Sequence, residues 1–264
     1  MAVYLNAVGL AAPGLLDWSS SQSVLTGQAP YEFVALEKYK PTQLPPNEAR
    51  RATELVRMAF RVGEDLMRNT SFPMQECASV FSSSGGDYPI IDQICQSLCE
   101  PERLVSPTQF HNSVHNSAAG YWSIATGSRL PSTSLSAYDD SFSVGLLEAI
   151  HLCQSEQMPT LLVVYDIKPP YPLSEKRIIP MEFGVALLLM PFANEQTIAR
   201  LSVSVVTNAS ATVCVSAELE ALRHTNPAAR SLSLLEVLAG KRFGNVIFEN
   251  ANQNSIVLEV SDCQ

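Results

Sequence analysis

The stretch Ser134–Ile150, SLSAYDDSFSVGLLEAI, reads as a strand end, a tight polar turn and an apolar helix. Phe142, Leu146, Ile150 and Cys153 recur at helical spacing, which predicts a helix that begins near Ser141 and turns that face inward. Tyr138, Asp139 and Asp140 then sit at its N-terminus. Unpaired backbone N–H groups at such an end favour an anion, a thiolate or a developing oxyanion. The shape is that of a reactive elbow, but its tip carries no obvious nucleophile. SFSVG differs from the serine-hydrolase pattern G-x-S-x-G only at Ser141, which keeps open a stand-alone hydrolase or acyltransferase using Ser143 or Ser141. Against it, the missing glycine is the residue that relieves crowding at a strained turn, and Ser143 falls inside the predicted helix. The nearest thiol, Cys153, lies about three turns into the helix. The plainest expectation is that Asp139 or Asp140 caps the helix.

Outward from the elbow, strands alternate with helices. Thr160–Asp166, TLLVVYD, and Phe183–Met190 are nearly continuous apolar runs of the kind covered on both faces. Leu201–Val206 alternates apolar residues with Ser and reads as half-buried, and Ala2–Val8 is a further strand candidate. On the N-terminal side, Asn47 is expected to cap a helix whose Leu55, Ala59, Val62 and Leu66 share one face. Ile90–Leu98 reads as another helix, after the Gly-rich turn of ECASVFSSSGGDYP. This order predicts an α/β protein with a largely parallel sheet, in one domain over residues 1–264.

The composition bounds the function. With 264 residues, 46% hydrophobic and 16% charged, the chain is of globular type and long enough to bury a sizeable core. A net charge of −9 argues against broad nucleic-acid binding, which needs clustered Lys and Arg. No Lys or Arg precedes Lys38, so the start lacks the charged region of a signal peptide, and the longest apolar runs are too short to span a bilayer. The expected location is the cytosol, with no membrane span. Six scattered cysteines include no C-x-x-C pair, so Cys95 and Cys99 are expected to be buried free thiols, and no metal site is expected.

Two polar constellations remain. His111 and His115 are four apart, but no Glu makes them an H-E-x-x-H site. With Asn112 and Asn116 they are expected to form a hydrogen-bonded network near a pocket or interface. Arg50, Arg57, Arg61 and Arg68 recur along the first long helix and are expected to pair with Glu54, Glu64 and Asp65, a docking face for an acidic partner being the alternative.

Five segments together resemble a β-ketoacyl synthase of the thiolase-like fold, the first four its N-terminal half and the last the Gly-rich strand that opens its second half. They are VGLAAPG at 8–14, VFSSSGG at 80–86, LVSPTQFHNSVHNSAAGYWSIATG at 104–127, the elbow with its preceding strand at 132–149, and EFGVALLLM at 182–190. Matching Ala137 to the family's Ala-Cys dipeptide puts Tyr138 where the nucleophilic cysteine stands. The family's His-Gly-Thr is absent, and the only histidine after the elbow helix is His224, in RHTNP. The closing ANQNSIVLEV resembles the family's last strand, so the second half is shortened, with residues 1–178 like the first half and 179–264 an abbreviated second.

Such a chain resembles a chain length factor of type II polyketide systems, and within these the short ketosynthase-like subunits of bacterial aryl polyene clusters. The resemblance implies a layered αβαβα fold and a non-catalytic subunit paired with an active ketosynthase. No cofactor of its own is implied, because acyl chains arrive on the phosphopantetheine of an acyl carrier protein. Phe110, His111, Tyr138 and Phe142 would shape the acyl tunnel. Asn112, His115, Asn116, Ala118, Trp122, Thr133, Ser134, Leu135, Ser136 and Ala137 would lie at the interface. A purely structural or regulatory binding module is the remaining alternative.

Overall fold

The computed structural model describes residues 2–251 and 253–262. The chain opens with β1 (Ala2–Ala11) and α1 (Trp18–Leu25), then α2 (Pro46–Arg51) and α3 (Glu54–Arg68). After β2 (Ala78–Ser82), three helices follow: α4 (Tyr88–Cys99), α5 (Pro107–Asn112) and α6 (Ser117–Thr126). Next come β3 (Ser132–Leu135), α7 (Ser141–Ser155), β4 (Thr160–Asp166), β5 (Phe183–Met190) and β6 (Ala199–Thr207). The last elements are α8 (Ala217–Thr225), α9 (Leu232–Gly240), β7 (Gly244–Glu249) and β8 (Asn254–Ser261).

All eight strands join one sheet in the order β3-β2-β4-β5-β1-β6-β8-β7. Only the β2–β3 and β2–β4 ladders are parallel, and the other pairs are antiparallel. The expectation of a largely parallel sheet therefore fails. Parallel neighbours need a crossover; β4 returns to β5 through a loop and runs antiparallel to it, and the helices α8 and α9 join β6 to β7, which are not neighbours in the sheet. The apolar runs of β4 and β5 are nonetheless buried on both faces, because both strands are central.

The helices form a layer on each side. Phe142, Leu146 and Ile150 of α7 pack on one face of the sheet with α1, α8 and α9, and Val246, Phe248, Ile256 and Leu258 of the last two strands turn into the same core. On the other face, α3 and α6 enclose Phe60, Phe81, Trp122 and Tyr165. Leu55, Ala59, Val62 and Leu66 are all buried, as their spacing predicts. Gly9 sets how closely α3 lies on β1: an added β-carbon there would stand 2.1 Å from the Val62 carbonyl oxygen.

Several local expectations need correction. The helix expected from Asn47 is broken, because Ala52 is extended (ψ 127°), and Thr53 caps α3 by accepting from Val56 N–H. Pro46 occupies the first turn of α2 and leaves Asn47 inside it, where its side chain accepts from Arg50. Glu64 does not pair with the arginines; it is buried and holds the 39–43 loop, accepting from Tyr39 Oη, Thr42 and Gln43. Arg68 does pair with Asp65. Cys95 and Cys99 are exposed on α4, while Cys77, Cys153 and Cys214 are buried; Cys263 lies outside the described residues. Strand β6 is buried only at its start, and Val205 and Val206 are exposed. Among the described residues, no helix is long and apolar enough to cross a membrane, and no group of three or more His, Cys, Asp or Glu could hold a metal ion.

Candidate functional site at the elbow

Strand β3 leads into a single 3₁₀ turn, Tyr138–Asp140, and α7 starts at Ser141, where the apolar periodicity places it. Tyr138 has φ +54°, the left-handed conformation that costs a side-chain-bearing residue about 1–2 kcal/mol. Ser141 closes the turn: its Oγ accepts from Ala137 N–H at 3.0 Å and donates to the Tyr138 carbonyl at 2.7 Å.

Neither aspartate caps the helix with its side chain. Both reach sideways. Asp139 Oδ1 accepts from Arg177 Nη1 at 2.5 Å, and the Arg177 guanidinium covers the Tyr138 ring with Cζ 3.8 Å from its centroid. Asp140 accepts from Arg230 Nη1 and from Ala251 N–H, both at 3.0 Å. The elbow is thus tied to the loop after β4 and to the turn between the last two strands. A cleft of about 420 Å³ opens beside it, lined by Tyr138, Ser143, Arg223, His224 and Phe248 among others.

The candidate nucleophiles at the cleft are held in hydrogen bonds of their own. Ser143 is buried, and its Oγ lies 2.7 Å from Asn250 Oδ1 and 3.0 Å from the Asp140 carbonyl. Ser141 is equally buried and bonded within the turn. No histidine accepts from either hydroxyl, and His224 pairs with Glu220 at 3.0 Å. A serine nucleophile without a base is not activated, so the hydrolase reading loses its support. Cys153 is buried in α7 away from the cleft, and burial pushes its thiol up to about 12.

Below the elbow, the turn Ser82–Gly86 is pinned by Asp166 at the end of β4. Asp166 Oδ1 accepts from Ser84 N–H at 2.9 Å and Ser84 Oγ at 2.7 Å, while Oδ2 is buried without a partner. Burial raises this carboxyl to about 6 against the pull of those hydrogen bonds.

The expected tunnel residues do not converge. Tyr138 lines the cleft, and Phe142 lies in the core with its ring 5.2 Å from that of Phe248. Phe110 and His111 are exposed on α5 and line no part of this cleft. His111 and His115 share no helix face, because α5 ends at Asn112. His115 Nε2 instead donates to the Leu135 carbonyl at 2.8 Å.

Of the residues expected at an interface, Thr133, Ser134, Leu135 and Ala137 are half-buried on or just after the edge strand β3, while Asn116 and Ser136 are exposed. Asn112 is buried and satisfied within the chain, donating to the Arg51 carbonyl and accepting from Tyr121 Oη. Ala118 and Trp122 are corrected to core positions, Trp122 packing against Phe60 and Phe81. Sequence reasoning missed Arg177, Arg230 and Asn250, which stand in loops without periodicity. Asp166 did leave a signal, as a carboxylate ending a seven-residue apolar strand.

The model of the β-ketoacyl synthase N-terminal domain matches residues 16–244. The chain belongs to that family. Three solved structures are similar to this ketosynthase-family chain over 98% of its length and 99% of theirs. The first is the ketosynthase ApeO in complex with its chain length factor ApeC from Xenorhabdus doucetiae, at 25% identity and a TM-score of 0.74. The second is the ishigamide ketosynthase/chain length factor, at 15% and 0.76. The third is AntDE:AntF, a type II polyketide acyl carrier protein in complex with its ketosynthase bound to the hexaketide, at 11% and 0.74. No curated protein matches the chain. With these likenesses the eight-stranded sheet and its two helix layers are a thiolase-like ketosynthase fold.

Proposed function

We propose that this chain is a chain length factor: a subunit that performs no condensation itself, pairs with an active β-ketoacyl synthase and shapes the passage for the growing acyl chain. The observation that carries the reading is the elbow, which keeps its strained turn while its tip residue is a tyrosine stacked under an arginine. The partner would carry the thiolate and perform the decarboxylative condensation on carrier-bound chains. This chain would need no cofactor.

The surface supports a partner of that kind. α4 buries none of its residues, and Ile91, Leu98, Leu104, Phe110 and Val114 expose apolar side chains along α4, α5 and their connections. Apolar side chains gathered this way mark an interaction surface. A separate groove of about 920 Å³ is lined by Lys38, Lys40, Arg50 and Arg57 with no acidic residue, in a chain of net charge −9. It suits an acidic carrier protein.

Intact mass of the isolated chain after incubation with acyl carrier protein thioesters tests the non-catalytic role. The expected spectrum is unchanged, since no activated nucleophile faces the cleft. A stoichiometric acyl adduct would sink the reading.

A further inference from the structure

Two of the described cysteines differ from the rest. Cys77, Cys153 and Cys214 are buried, and burial pushes their thiols up, that of Cys153 to about 12. Cys95 and Cys99 are exposed on α4, a helix that buries none of its residues, so neither thiol fills the core. Their spacing is C-x-x-x-C, one residue longer than a C-x-x-C pair. On a helix that is one turn, and side chains four apart stand on the same face with Cβ atoms about 5–6 Å from each other. The same helix shows such a pair in contact: Gln96 Nε2 donates to Asp92 Oδ2 at 2.7 Å.

Chemistry separates the three uses of such a dithiol. A disulfide needs Cβ atoms roughly 3.5–4.5 Å apart, so closing one here would unwind the turn. A reactive thiolate needs a cation or a helix N-terminus to lower its pKa, but α4 carries no Lys, Arg or His, and both cysteines stand in its last two turns. A metal ion needs neither, because it supplies the positive charge itself, and two bonds of ~2.3 Å span sulfurs up to ~4.6 Å apart. Among the described residues, no third His, Cys, Asp or Glu completes a cluster with them. That leaves the four-coordinate shell of zinc unfilled and fits a soft ion content with thiolates alone. Ile91 and Leu98, four residues before and three after Cys95, expose apolar side chains on the same face, which suits an ion of low charge better than a hydrated divalent one.

Independently of the chain length factor reading, we propose that Cys95 and Cys99 form a dithiolate site for a soft monovalent metal ion, Cu(I), held in an S–Cu–S bridge along one turn of α4. Binding is an exchange of protons for metal: two S–H bonds break, two Cu–S bonds form and two protons leave, and neither copper nor sulfur changes oxidation state.

The test is titration of the reduced full-length chain, under nitrogen, with Cu(I) held by the chromophoric chelator bicinchoninate. The parent should take one equivalent, and that equivalent should protect both exposed thiols together from a coloured disulfide reagent. Cys95→Ser and Cys99→Ser should each lower the affinity by about 10²-fold or more, because the second thiolate binds intramolecularly. Circular dichroism should stay that of the parent, both positions being exposed. Moving the second thiol tells a paired site from two separate thiols. In the Cys99→Ser background, Leu98→Cys supplies an i, i+3 neighbour and should recover most of the affinity, whereas Gln96→Cys lies off that face and should not. Equal affinity in the parent and the single variants, or recovery from Gln96→Cys as well, overturns the site. Displacement of Cu(I) by one equivalent of Zn(II) overturns the choice of ion.

Discussion

Asp166 is a carboxyl whose burial opposes its charge. It is fully buried at the end of β4, three donors point at Oδ1 and none at Oδ2, and its folded value is raised from 3.8 to about 6. Folding therefore holds its proton to higher pH than unfolding does. The stability gained by the protonated form is fully present below the unfolded value and is lost as pH rises through about 6. A shift of this size amounts to ~3 kcal/mol. Asp166→Asn keeps the shape and removes the titration, so other acidic groups cancel in the comparison. Urea unfolding at about pH 4 and pH 7.5 should show the parent losing most of that, ~2 kcal/mol, relative to the variant between the two conditions, because part is already lost at pH 4. A pH-independent difference would mean that Asp166 is solvated or paired in solution. Residues of this kind are only half legible in a sequence. An Asp closing TLLVVYD marks itself, but Ser84, which neutralises half of it, arrives from a turn more than eighty positions away.

Elements are more legible than residues, because periodicity is local. α7 begins at Ser141, and β4 and β5 occupy the apolar runs that announce them. Strand direction is not local, since it depends on whether a helix or a loop makes the return, and the segment between β4 and β5 carries no helical pattern to decide it. Close approach of elements is likewise invisible until the glycines are placed. At Gly9 a β-carbon would stand 2.1 Å from the Val62 carbonyl oxygen and 2.6 Å from the Leu66 nitrogen, both backbone atoms that cannot rotate away. Gly9→Ala should force β1 and α3 apart and cost ~2 kcal/mol or more. Gly120 is the control, on the exposed side of α6 with open space where its β-carbon would go. Gly120→Ala should gain ~0.5–1 kcal/mol through helix propensity. Opposite shifts in melting temperature from the same chemical change would establish the contact; equal shifts would contradict it.

At the scale of the molecule, the resemblance carried by a handful of motifs gave the family, while the surfaces emerged only from the folded chain. The sheet ends at β3, which is only half-buried, and Ser134 Oγ within it is buried without a hydrogen-bond partner. An edge strand with free backbone groups invites pairing with another chain. The apolar side chains exposed on and around α4 and α5 extend the surface available to a partner. A chain length factor joined to its ketosynthase across this face would form a large, apolar interface in which a central charge is poorly tolerated. Co-expression should raise the soluble yield, and Ser134→Asp and Phe110→Glu should each abolish co-purification while leaving the circular dichroism of the chain unchanged. Ala118→Glu is expected to fail differently, by unfolding the chain itself, because Ala118 is buried on the inner face of α6. Arg61→Glu should leave the pair intact, since Arg61 holds the Glu37 carbonyl and the Tyr39 ring on α3, beside the loop it braces. Light scattering that found a monodisperse monomer, with no association on adding the ketosynthase, would return the exposed face to ordinary surface and remove the partner from the function.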